Sequence, residues 1–249
     1  MHELRFTHDP PDGDFTTLPL HAPESAHGHN IIQAEDGTWP SFFANELVSV
    51  SAAPILHSVP CIGFVITEKP VPGKIIPSQY IPEIKRTKTP MSVMSRLQLG
   101  ESVELSDGTI LRGPPRKPGR KLVILGDTYD PSPIAGLSQD ADVLIHEATN
   151  AHLPGIDPNT KPDETFESVE ARTKSRGHST PQMAGAFAKR IGAGKLYLNH
   201  FSARYAGNDD VDEEAKKVMD AIATLAAEGY GGSVTCARDL MSFEVEFAQ

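Results

Sequence analysis

The chain reads NHFSARY over residues 199–205, directly after a strand-like hydrophobic run at 195–198. Two other hydrophobic runs end in the same manner, one in LGDT at 125–128 and the other in HEAT at 146–149. Asp127, Glu147 and His200 therefore each stand where a short apolar run meets a loop. Because such strand ends line one edge of a sheet, we predict that these three segments build the functional site.

Metal-ligand chemistry is what the three segments share. Residues 177–180 read GHST at the start of a predicted helix and add a further histidine. Carboxylate oxygen together with neutral imidazole suits zinc or a harder ion such as manganese. A single strand-end histidine is usually a hydrogen-bonded surface group, but four such positions in order favour a divalent-metal hydrolase.

Length and composition allow one sizeable core. The chain has 249 residues, of which 39% are hydrophobic. The only cysteines, Cys61 and Cys236, stand in no ligand pattern and make a disulfide framework improbable. The N-terminus lacks an apolar signal region and no apolar run is long enough to span a bilayer, so the sequence predicts an intracellular protein with no membrane partner.

Charge is distributed unevenly along the chain. The net charge is −10, yet residues 69–121 hold 11 basic and 4 acidic residues, against 12 basic and 29 acidic elsewhere. This segment is either a solvated basic loop or a phosphate-binding arm. The side chains that could donate hydrogen bonds to phosphates are Lys74, Lys85, Arg86, Lys88 and Arg96. The segment also holds five prolines between residues 70 and 90, which favour an extended protrusion over a packed helix.

The chain divides into two parts by pattern. Residues 1–45 are predicted to be irregular, and residues 46–249 to form one domain with the basic arm protruding at about 69–100. An antiparallel strand pair is predicted at 47–56 and 61–66, with His57 in the turn between them. Ser106-Asp107-Gly108 marks a tight hairpin. Thr180 and Pro181 begin an amphipathic helix.

His57, the Asp-Thr pair at 127–128, HEAT, GHST and HFSARY occur in this order between about 46 and 206, and in this the chain resembles the ribonuclease Z family. That family comprises tRNA 3′-end endonucleases of the metallo-β-lactamase fold. The resemblance implies an α+β fold, a sandwich of αββα layers. It also implies zinc-dependent removal of the 3′ trailer from precursor tRNA, with the basic arm as a tRNA-binding exosite.

Site roles follow from the resemblance. It implies two zinc ions bridged by Asp127, with His57 on one ion and His200 on the other. His178 resembles the proton donor to the leaving 3′ oxygen, and Glu147 the residue that orients it. Paired metals and a carboxylate-held imidazole agree with phosphodiester hydrolysis. Arg204 is expected to contact a phosphate of the substrate or, alternatively, to form an ion pair with an acidic residue of the domain. A homodimer is left open.

One family motif is missing. His-x-His-x-Asp-His should precede His57, and the chain has no such sequence; the pair His27 and His29 has the first spacing only and is interpreted as a loop feature. Without the motif each zinc keeps two of its expected protein ligands, so we expect the fold to be N-terminally incomplete and this chain alone to be inactive. The chain is then either a fragment, or the product of a mis-set start codon, or a natural protein that has lost catalysis.

Three functions remain open from the sequence. The first is a ribonuclease Z-type endoribonuclease. The second is a non-catalytic RNA-binding or scaffold protein on the same fold, and the third is a metallo-hydrolase of a small ester or thioester. The third would have no use for a basic arm.

Overall fold

The computed structural model describes residues 2–9, 29–205 and 209–247. Five α-helices, a short 3-10 helix at Ser132–Ile134 and eleven strands occur within these ranges. The strands are β1 (His2–Arg5), β2 (His29–Ile32), β3 (Trp39–Ala44), β4 (Val48–Ile55), β5 (Cys61–Glu68), β6 (Ser102–Glu104), β7 (Ile110–Arg112), β8 (Lys121–Leu125), β9 (Val143–Glu147), β10 (Lys195–Asn199) and β11 (Ser233–Cys236). The helices are α1 (Pro77–Arg86), α2 (Val93–Gln98), α3 (Phe166–Ser175), α4 (Pro181–Arg190) and α5 (Glu213–Tyr230). No helix in the described ranges is long and apolar enough to cross a membrane.

Two compact units share the chain. Residues 1–67 and 121–245 form the first, and residues 68–120 with 246–249 form the second. The first unit holds a seven-stranded sheet of order β11-β10-β9-β8-β5-β4-β3. Strands β8, β9, β10 and β11 run parallel, whereas β5 is antiparallel to β8 and β3 is antiparallel to β4. This mixed sheet with its packed helices confirms the predicted α+β class.

The core of the first unit lies between the sheet and helices α4 and α5. Val65, Val123, Leu144 and Leu196 occupy paired positions on successive strands, and each is at most 3% exposed. Each side chain buried in this way contributes about 1.5–3 kcal/mol to folding. Strands β9 and β10 are buried at consecutive residues and not only at every second one, as is typical of parallel strands.

The start of α4 follows its sequence signals. The Thr180 hydroxyl accepts a hydrogen bond from the backbone N–H of Met183, and Pro181 occupies the first turn, where a missing N–H costs nothing. The cap fixes the chain immediately after His178, so this histidine is held at the entrance of a rigid helix.

The prediction of an irregular segment over residues 1–45 differs from the described part of that segment. Strands β1 and β2 pair in parallel, and β3 pairs with β4. Trp39 is 1% exposed and its indole N–H donates to the carbonyl of Ile31 at 2.9 Å. Burial of this one large side chain organises a stretch that has no periodic pattern of its own. Residue 29 begins β2, whereas His27 lies outside the described residues.

The second unit contains packed helices where the sequence predicted an extended conformation. It contains α1, α2 and the antiparallel hairpin β6–β7, which confirms the predicted Asp107-Gly108 turn. A small core unites the helices and the hairpin; its buried members are Ile84, Leu97, Val103 and Leu105. Pro77 lies in the first turn of α1, where proline is tolerated, but Pro82 lies inside the helix and removes one of its backbone hydrogen bonds. The helix therefore depends on the burial of Ile84 in this core.

Candidate active site

The site begins at the parallel strand ends of the first unit. Asp127 follows β8, Glu147 ends β9 and His200 follows β10. In the sheet register Ile124 pairs with Ile145, and Glu147 pairs with Asn199. The three polar residues are therefore delivered to the same edge, as the sequence predicted.

His57 reaches this edge through an isolated antiparallel bridge. Leu56 and Asp130 form an antiparallel backbone bridge, and the Thr128 hydroxyl donates to the carbonyl of Leu56 at 2.8 Å. The loop after β8 thus fixes the residue immediately before His57. Seventy residues separate His57 from Asp127 in sequence, and this bridge brings them together.

A candidate metal centre results from this convergence. His57, Asp127 and His178 each offer a ligand atom, and these three atoms lie within 4.8 Å of one another. His200 Nε2 lies 3.3 Å from Asp127 Oδ2, and its ring stacks on that of His178 with centroids 5.3 Å apart. Imidazole nitrogen with carboxylate oxygen is a donor set that fits zinc or manganese.

The tautomer of His57 follows from its hydrogen bond. Its Nδ1 lies 2.8 Å from the carbonyl oxygen of Gly177, and because a carbonyl only accepts, Nδ1 carries the proton. In the neutral ring Nε2 then keeps the lone pair that a metal requires. Only glycine fits at position 177. Its φ is +90°, and a Cβ here would overlap sterically with the His57 ring.

Glu147 is the most constrained residue of the site. It is 1% exposed, and its two oxygens accept four hydrogen bonds. The donors are the backbone N–H of Thr128 at 2.6 Å, the Thr149 hydroxyl at 2.5 Å, the backbone N–H of Ser179 at 3.0 Å and His178 Nδ1 at 3.1 Å. A carboxylate acting only as an acceptor is the ionised form, so His178 Nδ1 is a donor and its Nε2 is the atom left for chemistry.

The turn after β10 is anchored to the end of β9. The Ser202 backbone N–H donates to the carbonyl of Thr149 at 2.9 Å. His200 itself has φ of +54°, a left-handed conformation that costs a non-glycine residue about 1–3 kcal/mol. The hydrogen bond compensates this strain in part and holds His200 next to Asp127.

His146 lies beside this site in sequence but inside the core in space. It is completely buried, its Nδ1 lies 2.8 Å from the backbone carbonyl of Glu147, and its Nε2 has no hydrogen-bond partner among the described residues. Burial lowers the pKa of His146 because the charged imidazolium loses its hydration. His146 is therefore a neutral core residue.

Arg204 makes the ion pair that the sequence left open as the alternative to a phosphate contact. Its Nε lies 3.3 Å from Asp157 Oδ2, and its Nη2 donates to the carbonyl of Ala151 at 2.7 Å. Tyr205 accepts a hydrogen bond from the Ala151 backbone N–H, and burial raises the pKa of its phenol. These contacts attach the loop after β9 to the loop after β10.

The predicted RNA-binding residues of the second unit fall into two groups. Arg86 is paired with Glu83 and Asp107, and Arg96 is paired with Glu101. The Arg86 guanidinium lowers the pKa of Asp107 to about 2. The remaining three are exposed and make no ion pair with any residue that the structure describes; they are Lys74, Lys85 and Lys88.

Sequence reasoning missed the residues that hold Glu147. Thr128, Thr149 and Ser179 each donate to its carboxylate, and each belongs to a segment that the sequence already singled out. The available signal was a small hydroxyl residue close after each candidate acid or histidine. Gly177 was likewise visible only as a helix-preceding glycine, because its neighbour His57 is 120 residues away.

Comparison with known proteins gives a consistent set of relatives. The Ribonuclease Z of Bacillus velezensis is 32% identical over 215 residues, which is 82% of this chain and 62% of that protein. The Ribonuclease Z of Bacillus cereus is 33% identical over 217 residues, covering 85% and 60%, and the Ribonuclease BN of an Enterobacter species is 33% identical over 199 residues, covering 78% and 55%. No protein-family model matches the chain.

Solved structures give weaker matches. Human tRNase Z, short form, aligns with a TM-score of 0.49 at 24% identity, over 99% of this chain and 57% of that one. A metallo-beta-lactamase fold protein of Bacillus subtilis aligns with a TM-score of 0.42 at 18% identity, over 86% and 55%. The chain spans about six tenths of the length of the curated relatives that it matches. Sequence identity of 32–33% sustained over 78–85% of the chain shows that it belongs to the ribonuclease Z family.

Proposed function

We propose that the chain contributes the acid pair and part of the metal centre to a tRNA 3′-processing endoribonuclease site. The observation that carries the proposal is the convergence of His57, Asp127, His178 and His200 beside the buried carboxylate of Glu147. The relatives named Ribonuclease Z support a nuclease that acts on RNA.

The metal ligands in this proposal are His57, Asp127 and His200, with zinc as the resident ion. A bound divalent ion would act as a Lewis acid toward the scissile phosphodiester. The protein's own contribution is to hold the ligand atoms: Gly177 fixes the His57 tautomer, and the Thr149 carbonyl anchors the His200 turn. His178 also lies in the three-residue ligand cluster, so its role must be separated experimentally from that of a ligand.

The general acid is His178. Glu147 accepts from its Nδ1 at 3.1 Å, and this contact fixes the orientation of the ring and leaves Nε2 facing the substrate. Nε2–H then transfers its proton to the leaving 3′ oxygen of the tRNA. The ring is 20% exposed, so substrate can reach it while its orientation stays fixed.

The substrate in this proposal is precursor tRNA, bound in part by the second unit. Lys85 and Lys88 are exposed without ion pairs among the described residues, so their charges are available to phosphates. Arg86 must exchange its contacts with Glu83 and Asp107, and this exchange costs little because solvent screens ion pairs between exposed groups.

Cleavage of a precursor tRNA that carries a 3′ trailer tests the catalytic roles. We expect zinc- or manganese-dependent release of the trailer, a large loss of turnover in His178→Ala with metal content retained, and loss of both in His57→Ala. Metal content is measured by elemental analysis of the dialysed protein. Equal loss of metal and turnover in His178→Ala would make His178 a ligand; RNA binding without cleavage by the parent chain would leave a non-catalytic RNA-binding protein.

Binding of the same RNA across a series of salt concentrations tests the second unit. Replacing Lys85, Arg86 and Lys88 by Ala should weaken binding and lower the salt slope by about one unit for each phosphate that the variant no longer neutralises. Hydrolysis of a small phosphodiester should be unchanged, because none of these three residues is among the proposed ligands or the acid pair. An unchanged slope would mean that these cations are only solvated.

A further inference from the structure

A second basic segment stands next to the candidate acid. Residues 171–195 contain six basic residues and no acidic residue, and outside this segment and 69–121 the chain has 6 basic against 29 acidic residues. The basic residues are Arg172, Lys174, Arg176, Lys189, Arg190 and Lys195. They belong to the first unit, whereas the predicted RNA-binding arm belongs to the second.

Helix stability explains part of this pattern. Arg172 and Lys174 lie in the last turn of α3, and Lys189 and Arg190 lie in the last turn of α4. Cations at helix C-termini interact favourably with the helix dipole, by about 0.3–1 kcal/mol each. The dipole of each helix accounts for cations on that helix separately, but it does not require cations of both helices to face the same cavity.

Such a shared cavity exists. Lys174 from α3 and Arg190 from α4 line a cavity of about 490 Å³ together with Tyr129 and Ser132, which follow the candidate ligand Asp127. Phe187 and Met183 form its apolar wall. A volume of this size is in the range of small-ligand sites and admits a nucleotide-sized group.

The cations of this cavity keep donors available. Arg190 uses Nη1 to donate to Ser132 Oγ at 2.7 Å, and Lys174 donates to Glu170 at 2.6 Å, one hydrogen bond for an ammonium group that has three protons. Arg176 and Lys189 are exposed and unpaired within the described ranges. The acid on the rim, Asp130, accepts from the Ser132 backbone N–H at 2.9 Å and caps that turn.

Both walls of the cavity are connected by short stretches of chain to the candidate site. Tyr129 is two residues after Asp127, and Lys174 is four residues before His178. Two short chain segments thus connect the candidate site to a cavity rim that carries cations and hydroxyl donors. Arginine and lysine with hydroxyl groups are the typical partners of nucleic-acid phosphates.

We propose that this cavity, defined by Lys174, Arg190, Tyr129 and Ser132, binds the sugar-phosphate backbone of the RNA substrate next to the cleavage site. The proposal rests on the proposed function, and it adds a phosphate-binding surface on the first unit that is independent of the basic arm. Arg176 and Lys189 extend the same surface at its edge.

Salt-dependent binding of a precursor tRNA with a 3′ trailer tests this surface. The test variant is Lys174→Ala/Arg190→Ala, and the matched control is Lys216→Ala/Lys217→Ala, which removes the same charge from α5. With a slope of about 0.9 per phosphate, each phosphate that is no longer neutralised should weaken binding roughly fivefold at about 0.15 M salt. We expect a five- to thirtyfold loss of affinity and a slope lower by about one to two units in the test variant, and less than a twofold change in the control.

The outcomes separate the two proposals. If the parent chain binds the RNA and the test variant matches the control in affinity and slope, the cavity is not a phosphate site while the proposed function stands. If the parent chain binds no RNA, both proposals fail. Arg190 contacts Ser132, so the double variant could lose stability; if it melts at a lower temperature than the parent, Lys174→Ala alone serves as the test variant. Lys174→Ala should bind the RNA roughly fivefold more weakly than the parent. An unchanged affinity would overturn the proposal.

Discussion

Replacement of Glu147 by Gln tests the reasoning about the buried carboxylate. The side chain keeps its shape but offers one acceptor oxygen in place of two. Whichever way the amide is placed, its NH₂ group faces a buried backbone donor, either the N–H of Thr128 or that of Ser179. An unpaired buried donor costs about 1–3 kcal/mol, and the remaining bonds weaken when their acceptor becomes neutral.

The total loss of stability in Glu147→Gln is therefore about 2–4 kcal/mol, a large part of the roughly 5–15 kcal/mol that stabilises a typical domain. For a unit of this size that corresponds to a fall in melting temperature of roughly 4–16 °C. The assay is urea unfolding followed by circular dichroism, with calorimetry for the melting temperature. Glu170→Gln is the control, because Glu170 makes only an i,i+4 ion pair with Lys174, worth less than about 0.5 kcal/mol.

A Glu147→Gln protein as stable as Glu170→Gln would refute this account. It would mean that the four hydrogen bonds to Glu147 do not require two acceptor oxygens. The assignment of Nδ1–H to His178 would lose its support in that case, and so would the role of His178 as an acid.

Three other predictions concern positions around the site. Gly177→Ala should lower the free energy of unfolding by about 1–3 kcal/mol, because alanine disfavours φ of +90° and its Cβ would overlap the His57 ring. The control is Gly136→Ala, whose added Cβ would have no atom within 4 Å and which should cost under 1 kcal/mol in the same unfolding assay. Burial lowers the pKa of His146 from about 6.5, so its contribution to stability is complete above that pH and is lost as the pH falls below it. When the free energy of unfolding in urea is measured from pH 7 to pH 4.5, its slope against pH should be shallower in His146→Leu by up to about 1.4 kcal/mol per pH unit. Identical slopes in the parent and the variant would contradict a neutral buried imidazole. Arg204→Met should lower the free energy of unfolding by about 3–5 kcal/mol, because it leaves the buried Asp157 carboxylate without its ion-pair partner. Arg204→Lys keeps the positive charge and should lower it clearly less. Equal losses in the two variants would assign the effect to packing.

The sequence alone determined the features that depend on local pattern. Strand β9 ends at Glu147, and Asp127 and His200 closely follow β8 and β10, because the short apolar run of each strand ends where polar residues begin. Thr180 and Pro181 begin α4 because they satisfy the first turn of a helix locally, and Asp107-Gly108 forms the predicted hairpin turn. The order of the ligand-bearing segments was sufficient to identify the family.

Tertiary structure decided which partner each polar side chain takes. The sequence left two partners open for Arg204, a phosphate and an acid of the body, and only the packed loops place Asp157 and the Ala151 carbonyl against it. The helices of the second unit formed in spite of their prolines because Ile84 and Leu97 could be buried with the β6–β7 hairpin. Gly177 and His57 meet across 120 residues. A local pattern encodes period and capping, whereas contacts between distant segments depend on how the whole chain buries its apolar surface, and so the same arginine, proline or glycine has different roles in different folds.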